Sequence, residues 1–214
     1  MLGNKVLGEK ALTAQRTYSK YGNSMNEQSK SHNARLRNGD YRFLRGEVLD
    51  IGCGPDPIKL PPPATVTGWD LKDGDAQYLG TLKDDSFDAV VSSHCLEHMH
   101  CVRTSLKNWA RVLKTGGYLL IYVPSWLFYE KYQWPSRYNG DHKASFDLID
   151  PPVRPDHNFY SFRDMRRIGL ECGLTLEDAR IEIDNYDLTR VWDKRFDQTL
   201  GKAQAQVTFI YFKA

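Results

Sequence analysis

The chain has 214 residues, of which 41% are hydrophobic, and its 29 basic and 27 acidic side chains give a net charge of +2. That length suits one domain with a sizeable core, and the hydrophobic content excludes a disordered chain. The small net charge argues against a protein held to nucleic acid mainly by bulk charge, and the longest apolar stretch is far too short to span a bilayer.

The four cysteines are scattered along the chain and form no Cys-x-x-Cys pair. That pattern predicts free thiols rather than disulfides or a zinc site. The first residues contain no unbroken apolar segment followed by a small-residue cleavage site, so no secretory signal is predicted and the expected location is the cytoplasm.

Charge is unevenly distributed along the chain. Nine lysines and arginines against three acidic residues give residues 1–45 a charge of +6, which leaves −4 for residues 46–214. This basic N-terminal arm is polar and contains turn-like triplets at residues 21–23 and 38–40. Two interpretations stay open: a solvated leader, or a lid that meets an anionic substrate or closes over a cofactor.

From residue 46 onward, short apolar runs alternate with helical patterns. Strands are predicted at residues 47–51, 65–69, 87–91, 118–123, 176–183 and 206–212. Amphipathic helices are predicted at residues 102–113 and 161–173. Because strands that alternate with helices form parallel βαβ units, the sequence predicts an open α/β sheet with ligands at the carboxyl ends of its strands.

The most informative segment is the glycine turn after the first predicted strand. Residues 48–55 read Val-Leu-Asp-Ile-Gly-Cys-Gly-Pro, and the two glycines let the backbone approach a ligand closely. Asp70 follows 20 positions after Asp50, at the end of the next strand, where a carboxylate is expected to hold a ribose diol. Pro57 replaces the third glycine of a dinucleotide fingerprint, which disfavours a nicotinamide dehydrogenase.

Six short motifs follow one another between the first and the fourth predicted strand. They are Asp-Ile-Gly-Cys-Gly at 50–54, Gly-Trp-Asp at 68–70, Gly-Asp-Ala at 74–76, Asp-Ser-Phe-Asp-Ala-Val-Val at 85–91, Cys-Leu-Glu-His at 95–98 and Arg-Val-Leu-Lys-Thr-Gly-Gly-Tyr-Leu at 111–119. Together they resemble the class I S-adenosylmethionine-dependent methyltransferases, most of all the type-11-like group. The resemblance implies a Rossmann-like, mostly parallel twisted sheet with helices on both faces and an antiparallel C-terminal strand.

The resemblance also implies S-adenosyl-L-methionine (SAM) as the cofactor. The family pattern puts cofactor contacts at Asp50, Gly52, Cys53, Gly54, Asp70, Leu71, Asp75, Ala76 and Ser93. The glycine turn would hold the methionine moiety, Asp70 would accept hydrogen bonds from the ribose hydroxyls, and Asp75 with the Ala76 backbone would face the adenine. Asp75 could instead be an ordinary turn residue, and that alternative stays open.

Two departures from the family predict a sheet trimmed at the adenine side. The helix between the first two strands is reduced to residues 55–63, where three consecutive prolines allow no more than about one turn. Between Asp70 and Asp75 there is room for neither the customary helix nor the strand that follows it.

The transferred methyl group is expected just beyond the predicted strand at residues 87–91. A hydroxyl acceptor benefits from a general base, and histidine is the side chain best suited to that role near neutral pH. The candidates are His94, at the strand end, and the adjacent pair Asp141 and His142 in the segment that follows the fourth strand.

The same strand end raises the question of a metal. His94, Glu97 and His98 fall at helical spacing, which could hold a divalent ion if the segment were helical. The Leu-Glu-His triplet recurs in the wider group without a metal, and methyltransferases of ubiquinone biosynthesis carry a similar cluster. The prediction is that no metal is bound.

An acceptor-side insert is predicted at residues 124–162. Nine of the 26 aromatic residues fall among the 29 residues from Tyr118 to Phe146, interleaved with polar side chains. Aromatic faces with polar neighbours suit a polyhydroxylated or ringed acceptor. The alternative is a satellite core beneath a long loop.

The predicted function is therefore a SAM-dependent methyltransferase that methylates a hydroxyl of a small molecule, such as a sugar or an envelope glycan precursor. A nucleic-acid methyltransferase, suggested by the basic arm, is disfavoured because residues 92–95 lack the Asp/Asn-Pro-Pro-aromatic motif of amino-methylating enzymes. A non-catalytic SAM-binding protein is a further alternative, suggested by the trimmed sheet. The expected partner is a small-molecule acceptor, and the oligomeric state stays open.

Overall fold

The structure is a computed structural model that describes residues 27–193 and 195–214. Of the basic N-terminal arm, residues 27–45 are described, whereas the predicted turn at residues 21–23 lies outside the described residues. The predicted break at residues 38–40 is confirmed, because a helix ends there and Gly39 has φ +69°.

A twisted mixed sheet forms the centre of the fold. The described strands are β1 (Glu47–Ile51), β2 (Thr65–Trp69), β3 (Phe87–Ser93), β4 (Leu113–Pro124), β5 (Ser145–Phe146), β6 (Phe159–Tyr160), β7 (Leu174–Glu182) and β8 (Gln206–Lys213). Six of them form one sheet in the order β2-β1-β3-β4-β8-β7, and β5 pairs with β6 alone. Strands β1 to β4 are parallel, and β8 runs antiparallel to both β4 and β7, so the predicted fold class is confirmed.

Helices cover the sheet on both faces. The described helices are α1 (Glu27–Asn38), α2 (Val102–Val112) and α3 (Phe162–Glu171). Helices α2 and α3 pack on the face to which β1 contributes Leu49 and Ile51, whereas Val48 faces the opposite side, where it packs with Leu44 and Ile58. Within the described part of the chain, no helix has the length and apolar character needed to cross a membrane.

The trimmed edge that the sequence predicts is also present. Strand β2 is the edge strand, and the described chain contains neither a helix nor a strand between Trp69 and Phe87. Side chains of α2 hold this segment instead. Trp109 Nε1 donates to the carbonyl of Ala76 at 2.8 Å, and Arg111 donates to the carbonyl of Leu82 at 2.8 Å.

The structure differs from the predicted boundaries between α2 and β4. The prediction ended the helix at residue 113 and began the strand at residue 118, whereas α2 ends at Val112 and β4 begins at Leu113. The reason is that Leu113 already pairs with Phe87, ahead of a bulge in the ladder between β3 and β4.

The start of α3 depends on a capping box that includes Asp164. The carboxylate Oδ2 accepts hydrogen bonds from the Ser161 N–H at 3.1 Å and from Arg154 NH2 at 2.8 Å. Burial opposes ionisation of Asp164, but the Ser161 bond and the Arg154 charge together lower its pKa. A carboxylate with a lowered pKa stabilises the fold above the ordinary aspartate pKa, and that contribution disappears as the pH falls through the lower folded-state value.

We therefore expect Asp164→Asn to lower the free energy of unfolding by about 1 kcal/mol at neutral pH. Urea unfolding over a pH series should show this difference shrinking at acidic pH, where the native carboxyl is also neutral. Glu177→Gln removes an exposed carboxylate on β7 and is the matched control. A deficit that stayed constant at all pH values would rule out the charge as its cause.

Candidate active site

The chain turns sharply after β1, at the predicted glycine turn. Gly52 has φ +74°, and its N–H donates to the carbonyl of Trp69, at the end of β2, at 2.8 Å. A Cβ at Gly52 would lie 2.5 Å from the Cβ of Cys95, so only glycine fits. Burial raises the pKa of the Cys95 thiol above its usual range and that of Cys53 to about 11, so neither residue supplies a thiolate nucleophile at neutral pH.

The two aspartates of the predicted cofactor site have different surroundings. Asp50 is fully buried, and its Oδ2 accepts a hydrogen bond from the Ile58 N–H at 2.7 Å, which anchors the loop after the turn. Asp70 is half-buried at the end of β2, and its Oδ1 accepts from the Leu71 N–H at 2.6 Å. A Cβ at Gly54 would lie 3.8 Å from Asp70 Oδ2, so the turn and this carboxylate border one space. A glycine cradle beside a carboxylate fits the methionine and ribose portions of SAM.

The predicted adenine side is more open. Asp75 is exposed, and its Oδ1 accepts from the Gln77 N–H at 2.8 Å, which is the turn role that the sequence left open. The side chain of Leu71 is exposed, and Ala76 is half-buried beneath Trp109. Contacts of these residues with the cofactor stay predictions.

Beyond β3 the chain bends at His94, the first candidate base. His94 has φ +54°, a left-handed conformation that L residues adopt at a cost and that recurs at functional sites. Its N–H donates to the carbonyl of Tyr122 at 2.8 Å, and its Nε2 lies 3.2 Å from Gln206 Oε1 on β8. The preceding residue, Ser93, is buried, and its Oγ accepts a hydrogen bond from Arg35 at 2.5 Å.

The other two candidate catalytic residues lie in a cluster of histidines and carboxylates. His98 Nδ1 lies 3.1 Å from Asp141 Oδ2, and His142 Nδ1 lies 2.6 Å from Glu130 Oε1. His98 Nε2 lies 3.9 Å from Glu97 Oε1, and the two imidazole rings are 4.9 Å apart. His142 and Glu130 are buried, whereas Asp141 is exposed.

The backbone explains how distant parts of the chain meet in this cluster. Residues 96–98 form a 3-10 turn rather than an α-helix, so the helical face that the spacing of His94, Glu97 and His98 suggested does not form. The carbonyl of Glu97 instead accepts hydrogen bonds from the N–H groups of Lys143 at 2.7 Å and Ala144 at 3.1 Å. These bonds bring the insert alongside the turn that follows β3.

The carboxylates of the cluster change the pKa of His142. Burial alone would lower the pKa of His142, but the hydrogen bond to Glu130 and the nearby charges of Glu97 and Asp141 raise it overall.

The acceptor-side insert packs part of its aromatic side chains into a small core. Trp126 is buried and lies 4.9 Å from the ring of His157, which stacks on Trp134 at 4.0 Å with an interplanar angle of 5°. The satellite-core interpretation therefore describes this group. The rings of Tyr129 and Tyr138 lie outside it, half-buried and 5.6 Å apart, and Tyr129 is 5.6 Å from His142.

Helix α1 reaches the end of β3 through buried polar contacts. Arg35 is fully buried, and its guanidinium lies 4.6 Å from the ring centre of Tyr122 while it donates to Ser93. The Tyr122 hydroxyl donates to Asp40 Oδ2 at 2.9 Å, and Arg180 on β7 pairs with the same carboxylate. Burial raises the pKa of Asp40 although Arg180 and Tyr122 oppose the shift.

Three residues of this region were missed by the sequence analysis. Arg35 was counted only in the charge of the arm, and Gln206 only within a strand. Glu130 lies 12 positions before His142, a separation that no secondary-structure period connects. From the sequence alone, a glutamate in an aromatic-rich insert does not indicate a functional site. It does so only when the structure shows that it binds a histidine.

Comparisons with known proteins agree with this geometry. Residues 49–121 match the Methyltransf_11 family, described as "Methyltransferase domain". No curated protein gives a significant match to the chain.

Solved structures share the fold at low sequence identity. A protein from work on the conversion of a disulfide bond into a thioacetal group during echinomycin biosynthesis is 19% identical with TM-score 0.56, over 84% of this chain and 81% of that chain. Haemonchus contortus phosphoethanolamine N-methyltransferase 2, in complex with SAM, is 15% identical with TM-score 0.54, over 85% of this chain and 52% of that chain. A SAM-dependent methyltransferase from Archaeoglobus fulgidus is 18% identical with TM-score 0.50, over 86% of this chain and 93% of that chain.

The sheet order and the glycine turn beside Asp70 define a Rossmann-like cofactor-binding domain. The family match covers residues 49–121 of the 214, so this part of the chain is similar to a methyltransferase domain. The fold is the one found in solved SAM-dependent methyltransferases.

Proposed function

We propose that the chain is a SAM-dependent methyltransferase and that it transfers the methyl group of SAM to a hydroxyl of a small, sugar-like or otherwise polyhydroxylated ring. The observation that carries the proposal is the position of His94. Its neighbour Cys95 packs against Gly52, where a Cβ would lie 2.5 Å from the Cβ of Cys95. A histidine at the carboxyl end of β3 therefore lies next to the turn that we assign to the methionine end of the cofactor.

His94 is the candidate general base. When bound, SAM supplies an electrophilic methyl group, and the protein must align an acceptor oxygen with it and remove the hydroxyl proton. His94 Nδ1 lies 3.6 Å from Oε1 of the buried side chain of Glu97, close enough for this carboxyl group to orient the imidazole. Nε2–H now donates to the Gln206 amide oxygen at 3.2 Å. When an acceptor hydroxyl takes the place of that amide, the ring must carry its proton on Nδ1, on the side of Glu97, so that Nε2 can accept the hydroxyl proton.

His142 and Asp141 have other surroundings. His142 is buried against Glu130, and Asp141 is bound to His98 and to Lys143, with Lys143 Nζ 3.0 Å from its Oδ1. We assign them to the histidine and carboxylate cluster rather than to proton transfer.

The side chains around the cluster support the proposed class of acceptor. The half-buried rings of Tyr129 and Tyr138 give this side of the cluster an aromatic border, and the segment between Tyr138 and Lys143 supplies polar neighbours. Sugars and related polyols bind in this way, with ring faces on aromatic side chains and hydroxyls on polar tips. Two of the four described arginines of the basic arm are engaged within the chain, because Arg35 is buried and Arg37 pairs with Asp184, which leaves fewer of them for nucleic acid.

The test is product analysis with methyl-labelled SAM and a panel of free sugars, nucleotide sugars and cyclic polyols. NMR of the labelled methyl distinguishes attachment to oxygen, nitrogen or carbon. We expect O-methylated product, and His94→Asn should lower kcat by about 10²- to 10⁴-fold with little change in SAM affinity. The matched control is His100→Asn, at an exposed histidine near the same turn.

Each other outcome has a definite meaning. A labelled methyl on nitrogen would exclude the hydroxyl acceptor, and SAM binding without transfer to any acceptor would favour the non-catalytic alternative. An unchanged kcat in His94→Asn would remove His94 from proton transfer. Binding to nucleic acid that weakens steeply with salt would favour the nucleic-acid methyltransferase.

A further inference from the structure

A group of possible ligands lies beside the candidate base, outside the predicted cofactor contacts. Glu97, His98 and His142 each offer one ligand atom, and these atoms all lie within 4.8 Å of one another. We propose that these three residues bind a divalent transition-metal ion, most readily Zn²⁺. Two imidazoles and one carboxylate are the donor set of open, catalytic zinc sites, whereas Mg²⁺ and Ca²⁺ prefer oxygen donors alone.

The hydrogen bonds of the two histidines support this assignment. Nδ1 of His98 is engaged by Asp141 at 3.1 Å, and Nδ1 of His142 is engaged by Glu130 at 2.6 Å. A carboxylate on one ring nitrogen fixes the tautomer and the orientation of the imidazole and makes the other nitrogen a better donor. Both rings therefore keep Nε2 for the ion, and metal-binding histidines are usually held in this way.

Buried negative charge supplies an independent argument. The side chains of Glu97 and Glu130 are each 1% exposed, and within the described residues Oε2 of each lacks a hydrogen-bond partner. Asp141 adds a third carboxylate, and Lys143 is the cation paired with it. A buried carboxylate whose oxygen lacks a partner is costly, so a divalent cation between Glu97 and the histidines would take the place of the protons that these histidines must otherwise carry to balance the carboxylates.

The three ligand atoms are close enough to bind one metal ion and leave a coordination position open. Donors that lie 2.0–2.2 Å from one ion are at most about 4.4 Å apart, so the set must close slightly around the metal. His98 can make this movement because its side chain is 26% exposed and lies on a short 3-10 turn. Three protein ligands leave a fourth coordination position open.

That open position deepens the proposed function, on which this step rests. Glu97 bridges the two sites, because its Oε1 is 3.6 Å from Nδ1 of His94 and 3.9 Å from Nε2 of His98. An ion on Glu97 would therefore bind an acceptor oxygen next to the candidate base. Vicinal hydroxyls or a hydroxyl beside a carboxylate would suit such a site, and the ion would make the bound hydroxyl more acidic.

The metal can be tested without SAM or acceptor. The purified full chain is dialysed against EDTA and titrated with Co²⁺, followed by calorimetry and by visible absorption of the bound ion, and the Zn²⁺ content of the undialysed protein is measured. We expect one equivalent to bind. Glu97→Gln and His98→Gln should weaken binding by more than about 100-fold, and Glu130→Gln by about 10- to 100-fold.

His100→Gln is the matched control and should bind like the parent chain, and melting temperatures show which variants are folded. His98→Gln is the decisive variant because this partly exposed residue lies outside the hydrophobic core and can be replaced without disturbing it. Absence of saturable binding to the parent chain, or unchanged binding to folded His98→Gln, would overturn the proposal. Transfer of methyl to a hydroxyl is measured separately, so a chain that methylates sugars without binding Co²⁺ or Zn²⁺ would contradict the metal site alone.

Discussion

Gly52→Ala is expected to weaken SAM binding by roughly 100-fold while the chain stays folded. The left-handed backbone at this position costs an L residue about 1–2 kcal/mol. The added Cβ would also lie 2.5 Å from the Cβ of Cys95, so the turn must shift from its present position beside Asp70. Since each 1.4 kcal/mol of lost binding is a factor of ten, strain and displacement together account for the expected loss. Calorimetric titration of the purified variant with SAM gives the affinity directly.

Two further glycine substitutions make the comparison specific. Gly80→Ala is the control, because nothing lies within 4 Å of a Cβ built there. Gly54→Ala should fall between the two, since its φ is +54° and its Cβ would lie 3.8 Å from Asp70 Oδ2, in ordinary contact but within the proposed cradle. Folded Gly52→Ala with the affinity of the Gly80→Ala control would show that the cofactor does not use this turn.

The sequence predicted the features of the fold that depend on local pattern. Strand β1 and its glycine turn follow from an apolar run that ends in glycines, and α2 follows from apolar residues at helical spacing. The trimmed edge could be predicted because prolines and a short connection exclude a helix between β1 and β2 and leave no length after Asp70. Each of these features is determined by a few residues that are neighbours in the sequence, which is why it could be predicted.

The candidate site could be predicted only in part, because much of it is assembled by tertiary contacts. His94 is identifiable from its place at a strand end, but the partnership of His98 with Asp141 depends on the Glu97 carbonyl, which binds the backbone of the insert. The spacing of His94, Glu97 and His98 suggested an α-helical face, whereas the left-handed backbone at His94 starts a 3-10 turn. No period in the sequence connects Glu130 with His142.

A substitution in the basic arm is the second with a large expected effect. Its result distinguishes the two interpretations of the arm, a solvated leader or a lid. Arg35→Met should lower the free energy of unfolding by about 3 kcal/mol, because it removes a buried cation that contacts Ser93 and the ring of Tyr122. Arg37→Met, two residues away on α1, removes a half-exposed cation paired with Asp184 and should cost less than about 1 kcal/mol. Urea unfolding of the two variants measures the difference.

A solvated leader would make both arginines dispensable, so equal and small effects would exclude a structural role for α1. A large effect confined to Arg35 would instead make α1 part of the active-site wall. Ser93 ends β3 immediately before His94, and the guanidinium of Arg35 bonds to its hydroxyl. The variant should then also lose alignment of the acceptor, and we expect kcat to fall more than SAM affinity does. In that case the positive charge of the arm, at least at Arg35, stabilises the end of the strand that carries the candidate base.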